Sequence, residues 1–282
     1  MAELKIGVMV ESFRLGLKDG IDKASELGAD GIQIFAVKDE FNPDLSQIKR
    51  KEIFDYITEK KLEISALCGD LGGHGFAKKE DNIWKIKRSK EIVDLAVDFN
   101  TKVVTTHIGV IPENEKEERW QIMFDAAREL GDYASKKGVV FAIETGPEKT
   151  EVLKRFLDKI NTPGIGVNYD PANLVMVIGE DIVQGVFNLS KYIVHTHAKD
   201  GVMFKKTDPK RIYDYFAQGG IEDLRISDYF LEKPLGEGNV NFDKYIEALN
   251  KIGYKGYFTI EREVGDNPQE DIKKAVQFLR KW

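Results

Sequence analysis

Along the whole chain, short runs of apolar and β-branched residues alternate with longer stretches whose apolar positions recur every three to four residues. The short runs predict strands at Leu4–Val10, Gly31–Ala36, Leu62–Leu67, Lys102–Ile108, Val139–Thr145, Gly164–Tyr169, Tyr192–Ala198 and Gly256–Arg262. The longer ones predict helices at Gly20–Leu27, Leu45–Lys60, Asn82–Phe99, Glu115–Lys137, Thr150–Lys159, Asp181–Leu189, Phe242–Ile252 and Pro268–Lys281. Gly28 and Gly138 close two of these helices, and Thr150 reads as a cap. Eight strand-then-helix units in 282 residues predict an α/β fold of the (β/α)8 barrel type, which needs about 250 residues. The competing doubly wound sheet would bring a Gly-x-Gly-x-x-Gly turn after the first strand, and the sequence has none there. One domain over 1–282 is expected, its spare length gathered in an insertion at about 201–241. The insertion interleaves Lys205, Lys206, Lys210, Arg211 and Arg225 with Tyr213, Tyr215, Phe216, Tyr229 and Phe230. Such a connection reads as a lid, a subunit contact or a hold on a phosphoryl group, with a solvated surface as the plain alternative for its basic residues.

Composition narrows the function. A hydrophobic fraction of 42% excludes global disorder, and 48 acidic against 42 basic side chains (net charge −6) argue against a nucleic-acid partner. Cys68 is the only cysteine, so an intrachain disulfide and a thiolate metal cluster are excluded and a reducing cytoplasm is expected. The first ten residues enter a strand pattern at once, so no leader is expected, and no apolar run approaches the roughly 18 residues of a membrane span.

In a barrel the active groups sit at the C-terminal ends of the strands, and here those ends are polar. Strand five ends in Glu144, strand six in Asn168 and Asp170, strand seven in His195 and His197, and strand eight in Glu261 and Glu263. His107 ends strand four, and His74 follows strand three after Gly72 and Gly73. Two Glu, one Asp and one His on successive strands would converge at one mouth. Three carboxylates gathered without a cation would repel one another, so a single divalent metal ion is expected among them. An oxygen-rich shell with one imidazole suits Mn²⁺ or Mg²⁺, and Co²⁺ and Zn²⁺ are compatible.

The segments Thr106-His107-Ile108-Gly109, Ala142-Ile143-Glu144-Thr145-Gly146, Asp170-Pro171-Ala172-Asn173, His195-Thr196-His197-Ala198-Lys199-Asp200, Pro234-Leu235-Gly236-Glu237-Gly238 and Thr259-Ile260-Glu261-Arg262 occur in order at these strand ends. Through them the chain resembles the sugar phosphate isomerase/epimerase family of xylose-isomerase-like TIM barrels, which includes D-tagatose 3-epimerase, hydroxypyruvate isomerase and the type IV AP endonucleases. The resemblance implies a metal held by Glu144, Asp170, His197 and Glu261, with Glu144 and Glu261 also moving protons through an enediolate. It implies a sugar or sugar phosphate as the small-molecule partner. His74, His107, Asn173, His195, Lys199 and Glu237 are the candidate substrate contacts. Where the ketose epimerases carry an arginine six residues after the metal-binding histidine this chain has Met203, and where they carry a further glutamate it has Thr150; Lys199, Lys205 or Glu148 is the expected substitute. A metal-dependent isomerase or epimerase is therefore expected, with a dehydratase or lyase on a related polyol or keto acid, and a non-catalytic sugar-binding barrel, as the alternatives. Four histidines and an acidic balance speak against the AP endonuclease reading. The aromatic insertion leads us to expect a homo-oligomer.

Overall fold

The computed structural model describes residues 3–221 and 223–282; Met1 and Ala2 of the segment read as leaderless, and Glu222 of the insertion, lie outside the described residues. The strands are β1 (Lys5–Met9), β2 (Gly31–Phe35), β3 (Glu63–Cys68), β4 (Val103–Thr106), β5 (Val140–Glu144), β6 (Ile165–Tyr169), β7 (Ile193–Ala198), β8 (Asp200–Met203), β9 (Phe230–Lys233) and β10 (Tyr257–Ile260). The helices are α1 (Leu17–Glu26), α2 (Gln47–Glu59), α3 (Lys79–Asp98), α4 (Glu118–Lys136), α5 (Thr150–Ile160), α6 (Pro171–Asn173), α7 (Ile182–Asn188), α8 (Pro209–Gln218), α9 (Phe242–Lys251) and α10 (Pro268–Leu279). Strands β1 to β7 and β10 close a parallel barrel in the order β1-β10-β7-β6-β5-β4-β3-β2, so the expected (β/α)8 architecture is the observed one. Among the described residues, no helix is long and apolar enough to cross a membrane.

The main core lies between barrel and helices, where Ile6, Val8, Ile32, Ile34, Val104, Phe141 and Val167 meet helical partners such as Ile21, Ile92, Leu130 and Phe156. Burying each such side chain is worth roughly 1.5–3 kcal/mol. The interior of the barrel differs from the usual stack of branched aliphatics. Ala66, Val103 and Ala142 form a small apolar plug with Val194. Above it runs a polar network: Gln33 Nε2 donates to Thr105 Oγ1 at 3.0 Å, and His195 lies between Asn168 Oδ1 (2.9 Å) and Thr259 Oγ1 (3.0 Å). Between β6 and β7 the register shifts: Val167 pairs with Ile193 but Asn168 with His195, so β7 carries an extra residue below its histidines.

Two local expectations are corrected. Helix α1 begins at Leu17, with Gly20 inside it, because a Cβ at Gly20 would lie 2.7 Å from Val10 Cγ1; close packing on the β1 end requires the glycine. Thr150 is not a cap. Lys149 holds that position without a side-chain bond, while Thr150 donates from N and Oγ1 to the Glu180 carboxylate at 3.0 and 2.6 Å. The stretch 201–241 is ordered structure: β8 and β9 pair antiparallel, α8 lies between them, and a 3-10 turn at Ile226–Asp228 precedes β9.

Candidate active site

Each reactive side chain sits at or one or two residues past the end of a barrel strand, where the backbone leaves the ladder. Glu144 is the last residue of β5, and Asp170 and Glu261 are the first residues past β6 and β10. Glu144, Asp170, His197 and Glu261 each present a ligand atom, and these four atoms lie within 4.8 Å of one another. All four residues are buried. His197 Nδ1 is 3.4 Å from Asp170 Oδ2, 3.4 Å from Glu261 Oε2 and 3.7 Å from Glu144 Oε1.

The surrounding groups aim these atoms at a common point. Asp170 Oδ1 accepts from the N–H groups of Ala172 (2.8 Å) and Asn173 (3.0 Å), leaving Oδ2 for the centre. Glu144 accepts from Asn173 Nδ2 at 3.1 Å on one oxygen and from Asn168 Nδ2 at 3.0 Å on the other. Gln33 Oε1 lies 3.2 Å from His197 Nε2 and accepts that N–H in the tautomer whose Nδ1 lone pair faces the carboxylates.

Two buried atoms at the centre have no hydrogen-bond partner, Asp170 Oδ2 and His197 Nδ1. An orphaned buried acceptor costs about 1–3 kcal/mol, and these two face one another in a ring of carboxylates. Three carboxylates and an imidazole nitrogen at this spacing fit a divalent cation, which would satisfy both orphans. In the protein alone the charges balance differently. Burial works against an imidazolium at His197, but Glu261 and Glu144 overcome it and hold the pKa well above the usual histidine range. Burial likewise opposes ionisation of Glu261, yet the Lys199 ammonium and His197 bring it down to about 2. Glu144 is also lowered despite burial, by His107 and His197.

The predicted contacts divide into two sets. His107, Asn173 and Lys199 line a cavity of about 250 Å³ together with Glu144 and Glu261. The His107 ring lies 3.1 Å from Asp70 Oδ2 by Nδ1 and 3.4 Å from Glu144 Oε1 by Nε2. Burial alone would discharge it; the two carboxylates raise it well above the ordinary range. Lys199 Nζ is 2.8 Å from Glu261 Oε2 and also pairs with Glu263. The structure sets three others apart from that cavity. His195 is inside the barrel and kept neutral, its pKa lowered to about 3 chiefly by burial. His74 faces Asp214 on α8 at 3.6 Å, and so ties the loop after β3 to the insertion. Glu237 is exposed, because its flanking glycines turn inward: the N–H groups of Gly236 and Gly238 donate to Asp200 Oδ2.

Asp200 also accepts from its neighbour Gly201 and from Val240, so of the four backbone N–H groups it accepts, three, from Gly236, Gly238 and Val240, anchor the loop before α9. A Cβ at Gly238 would lie 2.1 Å from Asp200 Oδ1, which is why this position is glycine. Of the expected substitutes for the missing arginine and glutamate, Lys199 reaches the cavity, while Lys205 is exposed over the Tyr229 ring. Glu148 is buried with Oε2 unpartnered, and burial pushes its pKa up to about 8.

Sequence reasoning missed Gln33, Asp70 and Tyr213. Gln33 carried a signal, a lone amide within the apolar run of β2; Asp70 and Tyr213 join the cavity through loop and insertion geometry that no local pattern announces.

The chain is 29% identical over 174 residues to an inosose dehydratase of Geobacillus thermodenitrificans (strain NG80-2), a match covering 58% of this chain and 55% of that protein; the match thus spans about half the length of the curated relative. Among solved structures, a xylose isomerase domain protein from Planctomyces limnophilus superposes with a TM-score of 0.80 at 22% identity, covering 99% of this chain and 97% of that one. A D-tagatose 3-epimerase-like protein gives 0.73 at 20% identity, with 99% and 98% covered. A xylose isomerase-like TIM barrel protein from Mycobacterium smegmatis, in complex with magnesium, gives 0.71 at 19%, with 99% and 96% covered. The family profile described as xylose isomerase-like TIM barrel matches residues 21–282, and together with the closed eight-stranded barrel this shows that the chain belongs to that family.

Proposed function

We propose that this chain is a divalent-metal-dependent enzyme that removes a proton from the carbon beside a carbonyl in a polyhydroxylated small molecule, a sugar or related polyol ketone, and returns it as an isomerase or epimerase. One observation carries the reading. Two ionised carboxylates, Glu144 and Glu261, converge on one point, and each touches a proton-bearing group that lines the same cavity, His107 for the first and Lys199 for the second. Glu144, Asp170, His197 and Glu261 would hold the cation, with Mg²⁺ or Mn²⁺ the ions that suit this donor set. When bound, the cation supplies Lewis-acid polarisation that acidifies the adjacent C–H.

The remaining work falls to the side chains. Either glutamate accepts the proton from one face of the substrate, and the opposite carboxylate returns one, so delivery to the other face inverts the carbon. Asp70 holds the His107 ring, and Asn173 steers Glu144 Oε1. Lys199 keeps Glu261 ionised and fixed.

A specific observation favours a second outcome, dehydration. The Lys199 ammonium stands beside Glu261 and lines the cavity, where it is placed to protonate a departing hydroxyl; the curated relative is named an inosose dehydratase. The test is a panel of ketoses, aldoses and cyclic polyol ketones, with and without phosphate, incubated with Mg²⁺- or Mn²⁺-loaded protein in D₂O. Deuterium at carbon with the formula retained supports the isomerase or epimerase, and loss of water the dehydratase. Thermal stabilisation by sugars with no exchange anywhere would leave a binding barrel and overturn the enzyme.

A cytoplasmic setting and a homo-oligomer joined through the outer face of the insertion belong to the same proposal. The single cysteine supports the first, and Phe204, more than half exposed, supports the second. A monomer by light scattering at working concentration would remove the oligomer.

A further inference from the structure

Beside the polar cavity lies a second, larger one. A chamber of about 490 Å³ adjoins it and shares His107, Asn173, Tyr213, Phe216 and Glu263 as walls. Beyond those shared residues the chamber is largely apolar. Met176 and Val177 come from the turn after β6, and Ile212, Ile226 and Phe230 from the insertion. One wall is braced: Tyr213 Oη donates to the Gly73 carbonyl at 3.3 Å, and Asp214 faces His74 at 3.6 Å, so α8 is pinned to the loop after β3. A free monosaccharide has no apolar group to place there, and a preformed apolar chamber is the part of a binding site that recognises hydrocarbon.

Charge narrows the occupant further. The basic side chains lining the two cavities are Lys199 and His107, and both are already paired, with Glu261 and Glu263 and with Asp70 and Glu144. Carboxylates dominate the rest of the charged lining. The basic residues once matched to a phosphoryl group, Lys205, Lys206, Lys210 and Arg211, are exposed and line neither cavity; Lys210 instead pairs with Asp214. A phosphate dianion would meet like charge without a free partner.

We propose that the substrate is an unphosphorylated polyhydroxylated ketone bearing an apolar substituent, aryl or alkyl, with the polyol over Glu144 and Glu261 and the substituent in the chamber under the insertion. This rests on the function proposed above and specifies its substrate class. The occupant is taken as part of the substrate because the chamber adjoins the polar cavity along five shared residues, the Tyr213 and Phe216 rings among them.

The test is calorimetric titration of the Mg²⁺-loaded protein with phenyl β-glucoside, octyl β-glucoside, methyl β-glucoside and glucose 6-phosphate. The phenyl or octyl compound is expected to bind at least tenfold tighter than the methyl compound, and the phosphate weakest. Ile226→Ser and Phe230→Ser, separately, are expected to erase most of that preference by weakening the apolar glycosides alone. Equal affinity for methyl, phenyl and octyl compounds, or tightest binding of the phosphate, overturns the proposal. So does a concentration-dependent dimer whose formation blocks octyl glucoside binding, since a second copy then fills the chamber. Binding and turnover separate the two readings. An apolar preference without deuterium exchange on any carbonyl substrate removes the proton-transfer function and keeps the chamber. Exchange on plain ketoses without an apolar preference keeps the function and removes the chamber.

Discussion

The floor and the roof of the cavity are made on different principles. Floor groups stand on or just past barrel strands, are buried, and are held by paired hydrogen bonds, as in Glu144 between Asn168 and Asn173. The roof is an insertion whose β9 is tied down by the buried Glu232–Arg262 pair, but whose α8 has one buried residue, Ile212, and reaches the loop after β3 only through Tyr213 to Gly73 and Asp214 to His74. Chemistry that needs atoms placed to a fraction of an ångström sits on the rigid element, while shape selection sits on the part that can vary without disturbing the barrel.

Breaking the floor has the largest expected effect. Glu144→Gln or Glu261→Gln removes a proton carrier while keeping shape, and turnover on a substrate found in the D₂O panel should fall by about 10³-fold. Full retained turnover in both variants would end the two-carboxylate account.

Glu148, buried after β5, has a raised pKa of definite sign. The folded carboxyl stays protonated up to about pH 8 while the unfolded one ionises near 4.5. Its contribution is therefore fully present below pH 4.5 and is lost as pH rises to 8, by roughly 4–5 kcal/mol. Urea unfolding at pH 5 and pH 9 should show a steeper decline in wild type than in Glu148→Gln; parallel curves would mean that water reaches the carboxyl.

Cation binding should stabilise the floor by about 3 kcal/mol at a hundredfold excess over Kd, read as a higher Tm that EDTA reverses. Because the metal-free His197 holds a proton well above the usual histidine range, that proton must leave on binding. Affinity should then weaken by about tenfold for each pH unit lowered. A flat pH dependence would exclude His197 from the cation's ligands.

The roof responds less. Asp200→Asn replaces a carboxylate that accepts four backbone N–H bonds and should cost about 2 kcal/mol, with proteolysis rising first around residues 234–240. Smallest is Tyr213→Phe, about 1 kcal/mol of roof attachment through Gly73, seen as faster amide exchange in α8 with the barrel unchanged. Equal loosening of both regions in either variant would erase the distinction between them.

How much of this was readable beforehand follows the same division. The eight strands and their order could be read because each is a local run of apolar residues, and β5 through β7 appear within a residue of their expected ends. Glu144, Asp170 and Glu261 stood out as strand-end polar groups, the family resemblance pointed to His197, and the structure brings ligand atoms of the four within 4.8 Å. His195 could not be separated from His197 by alternation alone. Both face inward, and only depth in the barrel, with Asn168 and Thr259 closing around the lower ring, isolates one of them. Glu237 was carried by the resemblance of its segment, and that its flanking glycines donate to Asp200 only the folded chain shows.

The amino-acid sequence by itself determined the barrel, the acidic ring at its mouth and the position of the insertion, since all three are written in local periodicity and in what stands at strand ends. The tertiary structure alone decided that the insertion folds into a β8–β9 pair and α8, that its basic residues face solvent, and that its apolar side chains roof a chamber beside the carboxylates. The physical reason is range. Strand and helix periods are set by neighbours a few residues away, whereas the chamber is made by residues 107, 146, 176, 213 and 230, which meet only when the barrel has closed.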